Sequence, residues 1–385
     1  MRSSISNFKR RLRLPRLFFK RPPQIESIHG GPPLEYVRPV PELPWRGVTI
    51  AVVVIVIAAA SGWELYCRSI GYGPTLNDSA DLWTSARRRV KPDSIVIIGD
   101  SRAWFDLDLD ELQKGLGKRP IQLAMGGSCA YPVLLDLAND KNFHGTVICS
   151  VVPYLFMAPA GTPPMDRSET AVRRSHSQTL AQRASQYLAI PLEEHVAFLK
   201  QEELTLSDLL QRLPIPNRPY ALVSPRIPPY FGTLDRERRS RMIEGCARPG
   251  KLQSTVQQIW LPLFTPPPPP SYLPKEEFAK QMGHAMEQRF HDVTAAVEKL
   301  RSRGCKVVFI RFPHSGGLKA LEDRLTPRAA VWDRIIRDTG TPGIYYEDFP
   351  DLASFNCPEW SHLSDEDSVE FSKRLVPHLR AALQM

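Results

Sequence analysis

Seventeen consecutive residues, Gly47 to Trp63, carry no charge, and this run limits what the rest of the chain can be. It lies between Arg46 and Glu64 and is dominated by Val, Ile and Ala. A helix of that length sits at the short end of what spans the hydrocarbon of a bilayer. Trp45 on one side, with Trp63 and Tyr66 on the other, suits the two interfacial belts. Residues 1–46 hold ten Lys or Arg against three acids, so the N-terminal side is expected to stay in the cytoplasm. Three other readings compete. A signal peptide cleaved near Ala58-Ala59-Ala60 would need an n-region of ordinary length, and 46 residues is too long. An Arg- and Ser-rich start also suits an organelle transit peptide. A buried core helix would need a polar face that this β-branched run lacks. The expectation is a basic cytoplasmic tail over 1–46, a single-pass anchor over 47–66 and an outward-facing domain over 67–385. The tail and its apolar neighbours could also rest on anionic lipid.

That basic tail accounts for most of the chain's net charge of +9 and leaves a near-neutral body. A nucleic-acid enzyme would spread its charge over the folded surface, so nucleic acid is not an expected partner. Thirty-seven prolines, nearly twice the usual share, demand long stretches of loop. The six cysteines (Cys67, Cys129, Cys149, Cys246, Cys305, Cys357) show no CxxC and no metal-like spacing with His, so neither a metal nor a disulfide framework is expected.

Beyond the anchor, apolar runs alternate with helical patterns. A helix is expected over Ser79–Val90. Strands are expected at Ser94–Ile98, Pro120–Ala124, Thr146–Val152, Lys306–Arg311 and Gly343–Tyr346. Helices are expected at Leu107–Leu116, Tyr131–Ala138, Lys275–Arg303, Leu321–Asp338 and Asp365–Leu383, with Gly304 and Gly340 as C-caps. Strands that are apolar on both faces belong to a covered parallel sheet. The expected fold is therefore α/β: a doubly wound three-layer sandwich with five parallel strands in the flavodoxin-like order 2-1-3-4-5. Residues 153–272 interrupt the pattern after the third strand as a long helical and Pro-rich insertion. Helical pieces are expected there at Ser168–Tyr187, Leu192–Glu203 and Leu206–Leu213, and Thr265–Pro270 reads as a stiff spacer. The insertion is a candidate lid or partner-binding element at the ligand edge of the sheet.

Gly99-Asp100-Ser101 closes the first strand, where a serine stands at the start of the next helix with backbone N–H groups nearby. Asp100 and Ser101 suit a turn and helix N-cap equally well. The second strand runs into Gly126-Gly127, a turn whose backbone can approach a ligand and offer an N–H, or simply one that needs positive φ. His362 follows the last strand at the same sheet edge and could take a proton from Ser101. Glu359 and Asp365 compete to orient its ring, and Asp365 also suits a helix cap. Arg102, His314 and Tyr154 are candidate substrate-lining residues, Arg102 for an anionic substrate. No cofactor is implied.

These blocks resemble the SGNH/GDSL hydrolase superfamily over residues 90–152 and 304–384. Gly99-Asp100-Ser101 is similar to its nucleophile block and Gly126 or Gly127 to its oxyanion glycine. Glu359-Trp360-Ser361-His362 is similar to its Asp-x-x-His block, with Glu for Asp. The resemblance implies Ser101 as nucleophile, His362 as base, and the N–H groups of Ser101 and Gly127 as oxyanion donors. Two departures stand out: the Asn that the family usually carries after the third strand is missing from Val151–Phe156, and Glu replaces Asp. A membrane-tethered member looks most like bacterial envelope proteins that move acyl groups onto polysaccharides or teichoic acids. The implied activity is a serine esterase or O-acyltransferase on envelope or extracellular glycan esters, partnered by the bilayer and an integral-membrane acyltransferase. The implied location is the bacterial inner membrane with a periplasmic domain. The alternative is a catalytically silent scaffold for that membrane partner.

Overall fold

Four consecutive apolar residues cannot alternate in and out of a core, so Ile95–Ile98 must be covered on both faces, and it is. The computed structural model describes residues 44–200, 203–204, 210, 227–266 and 268–385. β1 (Ile95–Ile98), β2 (Ile121–Gln122), β3 (Thr146–Ser150), β6 (Lys306–Arg311) and β7 (Gly343–Tyr345) form one parallel sheet in the order β2-β1-β3-β6-β7. Val96 pairs with Val147, Ile148 with Val308 and Ile310 with Ile344. The chain moves one way from β1 to β2 and the other way from β2 onward. Right-handed crossovers therefore put α4 (Leu109–Leu116) on one face and α5 (Tyr131–Asn139) on the other. The helix Lys275–Arg301 packs on α5, and the closing helix Asp365–Leu383 packs on α4.

The expected elements mostly appear, with edges moved by up to three residues. Two expected helices break. Leu321–Asp338 is two helices, Gly316–Leu325 and Trp332–Thr339, because Pro327 cannot continue the first. The expected Ser168–Tyr187 is likewise split into α7 (Pro163–Ser177) and α8 (Leu180–Glu193). Thr179 and Gln182 form a reciprocal capping box at the break. The expected helix Leu192–Glu203 is instead the end of α8 and a short 3-10 turn at Ala197–Leu199. The expected helix Leu206–Leu213 lies outside the described residues except for residue 210. The tail up to residue 43 lies outside them entirely.

Between β3 and β6 the elements that escape the sequence pattern include an antiparallel hairpin, β4 (Gly232–Leu234) and β5 (Ser240–Met242), and the helix Lys251–Leu263. The hairpin is fastened by a fully buried arginine. Arg238 takes positive φ in the turn, donates to the carbonyl of Ala124 at 2.9 Å and pairs with Asp78. Burial alone would raise the Asp78 carboxyl, but Arg238 and Arg167 outweigh it and hold it below its usual value. Arg239 pairs with Asp108 and, at 2.8 Å, with Asp365.

One described helix, α1 (Trp45–Ser69, 25 residues), is long and apolar enough to cross a membrane. It extends the expected span by a turn, and Ile50, Val54, Ile55 and Ile57 point outward, exposed. All six cysteines are free and buried.

Gly99 closes β1 at φ +139, and a Cβ there would meet Ser150 Cβ at 2.4 Å. Gly99→Ala is expected to cost about 2–5 kcal/mol from the forbidden backbone and overpacking together. Chemical denaturation of the detergent-solubilised chain checks this. An unchanged midpoint would show that the turn relaxes freely.

Candidate functional site

The serine turn is built by its own capping residue. Asp100 accepts the backbone N–H of Arg102 at 2.9 Å, opening α3 (Ser101–Phe105). Its second oxygen accepts the Ser150 hydroxyl at 2.8 Å, tying the ends of β1 and β3 together. Ser101 is left as the first helical residue, partly exposed. No hydrogen bond among the described residues occupies its backbone N–H.

The second turn locks onto the first. Met125 N–H donates to the Gly99 carbonyl at 3.1 Å, and the Ser128 hydroxyl donates to the same oxygen at 3.1 Å. Gly127 sits at φ +62, a conformation that favours glycine. Gly126 lies against the Trp104 ring, where a Cβ would approach to 3.1 Å. The backbone N–H groups of both glycines are likewise unoccupied among the described residues. Ser101 and Gly126-Gly127 therefore flank one edge of the sheet as expected.

His362 and Glu359 form a buried pair. Nδ1 of His362 lies 2.9 Å from Glu359 Oε1, and the same oxygen accepts the Ser361 N–H at 3.2 Å. Glu359 Oε2 accepts the indole N–H of Trp260. Neither Glu359 nor His362 is exposed at all. The turn that brings them together puts Trp360 at φ +81, a strained conformation for an aromatic residue. Glu359, not Asp365, therefore orients the ring. Ser364 is the helix cap, and Asp365 turns away to Arg239.

The imidazole is walled by Phe105 at 4.6 Å, Trp260 at 5.6 Å and Phe231 at 5.8 Å between ring centroids. Phe105 is one helical turn from Ser101, on the same face of α3. Leu363 N–H donates to Asp106 Oδ1 at 2.9 Å, strapping the histidine loop to the far end of that helix. Nε2 of His362 is buried with no hydrogen-bond partner among the described residues, so no bond joins it to Ser101 here. An open groove of about 740 Å³ is lined by residues such as Tyr131, Asp136, Glu169 and His176, and neither Ser101 nor His362 contributes to it.

Two candidate lining residues have other partners. Arg102 is buried and forked onto Glu322, with one arm at 3.2 Å, so it is not free to steer a substrate. Glu322 also pairs with Arg311, whose guanidinium donates to Nε2 of His314 at 3.0 Å. Burial and the neighbouring Arg311 and Arg102 push His314 well below its usual pKa, leaving it a neutral acceptor rather than a lining group. Burial would raise Glu322, but Arg102 and Arg311 outweigh it and hold the carboxyl ionised. Tyr154 is partly buried, with its ring 5.8 Å from Phe264.

The sequence did not flag Trp260, Phe231, Phe105, Glu322 or Asp106. Their contacts cross as many as 257 residues of chain, as between Asp106 and Leu363, and no local pattern marks them. Comparison with family models, curated proteins and solved structures finds no match to this chain.

Glu322→Gln leaves two buried guanidinium groups facing a neutral amide, and a loss of about 3–5 kcal/mol is expected in chemical denaturation. A loss below about 1 kcal/mol would mean that water screens the cluster.

Asp106 gives a separate pH signature. Burial pushes its carboxyl well above the usual value, and Oδ2 has no partner among the described residues. Its contribution to stability is therefore complete below the unfolded pKa of about 4 and is lost as pH rises through the folded value. Asp106→Asn should track the wild type at low pH and become the more stable protein toward neutral pH. Parallel stability curves would show that Asp106 is not protonated in the fold.

Proposed function

We propose that this chain is a membrane-anchored, SGNH-like serine esterase or O-acyltransferase acting on cell-envelope or extracellular glycan esters. The observation that carries the reading is the buried Glu359–His362 pair, whose imidazole packs on Phe105, one helical turn from Ser101. With Nδ1 committed to Glu359, Nε2 is the nitrogen left to act as base. In the proposed reaction Ser101 Oγ attacks the acyl carbonyl and Nε2 takes its proton. The N–H groups of Ser101 and Gly127 stabilise the oxyanion. The intermediate collapses by breaking the bond to the sugar oxygen, which leaves with the proton from Nε2. Water then releases the acyl group as an acid, or a second hydroxyl takes it as an ester.

The sheet order supports a doubly wound, flavodoxin-like frame with 153–272 as an insertion at its ligand edge. α1 supports a single-pass anchor. We read the tail as cytoplasmic, the main domain as periplasmic in a bacterium, and an integral-membrane acyltransferase as partner.

One observation favours the second reading, a catalytically silent scaffold for that membrane partner. His362 is sealed by aromatic rings and has no bond to Ser101, and the stretch after β3 brings no Asn donor.

Fluorophosphonate labelling of the full chain in detergent separates the two. Labelling that disappears in both Ser101→Ala and His362→Ala is expected for the enzyme, with a fall of at least about a hundredfold in rate. A folded wild type that takes no label, alone or with membranes, would overturn the catalytic reading in favour of the scaffold.

A further inference from the structure

A buried carboxylate stays ionised and correctly aimed only if its lone pairs are filled. Glu359 has two oxygens and four donors. Oε1 accepts from the backbone of Ser361, the backbone of His362 and the ring Nδ1 of His362. Oε2 has one protein donor, the indole N–H of Trp260. That indole comes from the helix Lys251–Leu263, outside the stretches that carry the family-like blocks. The same helix is tied to the histidine loop a second time, by Gln257 donating to the Pro358 carbonyl at 2.8 Å. Trp260 is itself held edge-on to Phe231 and Phe264, with centroids 6.0 and 6.1 Å away.

We propose that Trp260 is the positioning residue of the Glu359–His362 pair, so that the segment between β3 and β6 completes the site rather than merely covering it. The proposal deepens the catalytic reading, but its geometric part stands without it. It also gives a physical reason for Glu at position 359. The carboxylate must reach His362 Nδ1 with one oxygen and the indole with the other, and the extra methylene supplies that span. The indole N–H fixes the carboxylate plane. That plane keeps the proton of His362 on Nδ1, and Nε2 remains the open acceptor.

The test uses the full chain in detergent with ¹⁵N-labelled histidine and tryptophan. In the wild type the His362 ring should be the Nδ1–H tautomer, and the Trp260 indole proton should resonate downfield, as expected of a bond to a carboxylate. Trp260→Phe keeps the aromatic bulk but removes the N–H. It should mix the Nε2–H tautomer into His362 and slow fluorophosphonate labelling of Ser101 by about ten- to a hundredfold. Trp260→His, which can restore a ring N–H, should recover part of both. If Trp260→Phe does not fold, Glu359→Gln reports on the same bond from the other side, by an upfield shift of the indole proton.

An unchanged tautomer in Trp260→Phe, or an unmoved indole proton in Glu359→Gln, would overturn the proposal. A wild type that takes no label but shows both spectroscopic changes would sustain the positioning role and end the catalytic reading alone.

Discussion

Glu322, buried between Arg102 and Arg311, is the interaction on which the rest of the site rests. It joins three elements that the chain makes far apart: α3 after the first strand, the end of β6, and the helix Gly316–Leu325. The charges nearly cancel, because Asp100 lies close to Arg102 and His314 is neutral. A buried cluster of this kind adds little net stability over an apolar packing of the same shape, since desolvation offsets the attraction. What it adds is register. Arg102 follows Ser101 directly, so a shift of the serine turn along the sheet edge would strip a guanidinium of its partner inside the protein. That penalty, rather than any gain, keeps the turn in one place.

The same logic explains why the chain between β3 and β6 belongs to the core architecture. Its hairpin is held by Arg238, which completes the carbonyls at the end of β2, and by Arg239, which reaches Asp108 and the start of the last helix. Its helix supplies the donor for Glu359. A second apolar cluster, including Phe105, Val152, Trp260, Phe264 and Leu318, forms where that segment meets the sheet edge. The His362–Glu359 pair is the polar tenant of that apolar surrounding. A low-dielectric wall strengthens the Glu359–His362 attraction and makes the bare Nε2 costly, so the pocket favours any group that can donate to that nitrogen.

How much of this was legible depended on distance along the chain. The strand Lys306–Arg311 and the helix Asp365–Leu383 were readable to the residue, because Gly304 takes positive φ before one and Ser364 caps the other. The helix Leu321–Asp338 was misread because periodicity was allowed to run through Pro327. Glu359 and His362 were found because they lie three residues apart. Glu359 is also the carboxylate the sequence favours over Asp365; what it does not show is that Arg239, more than a hundred residues away, draws Asp365 aside. The sequence points Arg102 and His314 to a substrate surface because one follows Ser101 and the other ends the fourth strand at the same sheet edge. Their burial is set by Glu322, which no local pattern couples to either.

The helix α1 adds one more constraint. At the foot of α1, Glu64 accepts the backbone N–H groups of Ala197 and Phe198 at 3.0 and 3.1 Å, and Arg68 donates to the His195 carbonyl at 2.9 Å. Those partners follow α8, within the same long segment that carries Trp260. A chain that only needed tethering could leave its apolar helix through a flexible linker, and the 37 prolines show no shortage of stiff or extended sequence. Here Glu64 and Arg68 are instead hydrogen-bonded to the chain that follows α8, before the first strand begins. The chain between β3 and β6 therefore supplies partners both to Glu64 and Arg68 and to the carboxylate beside His362.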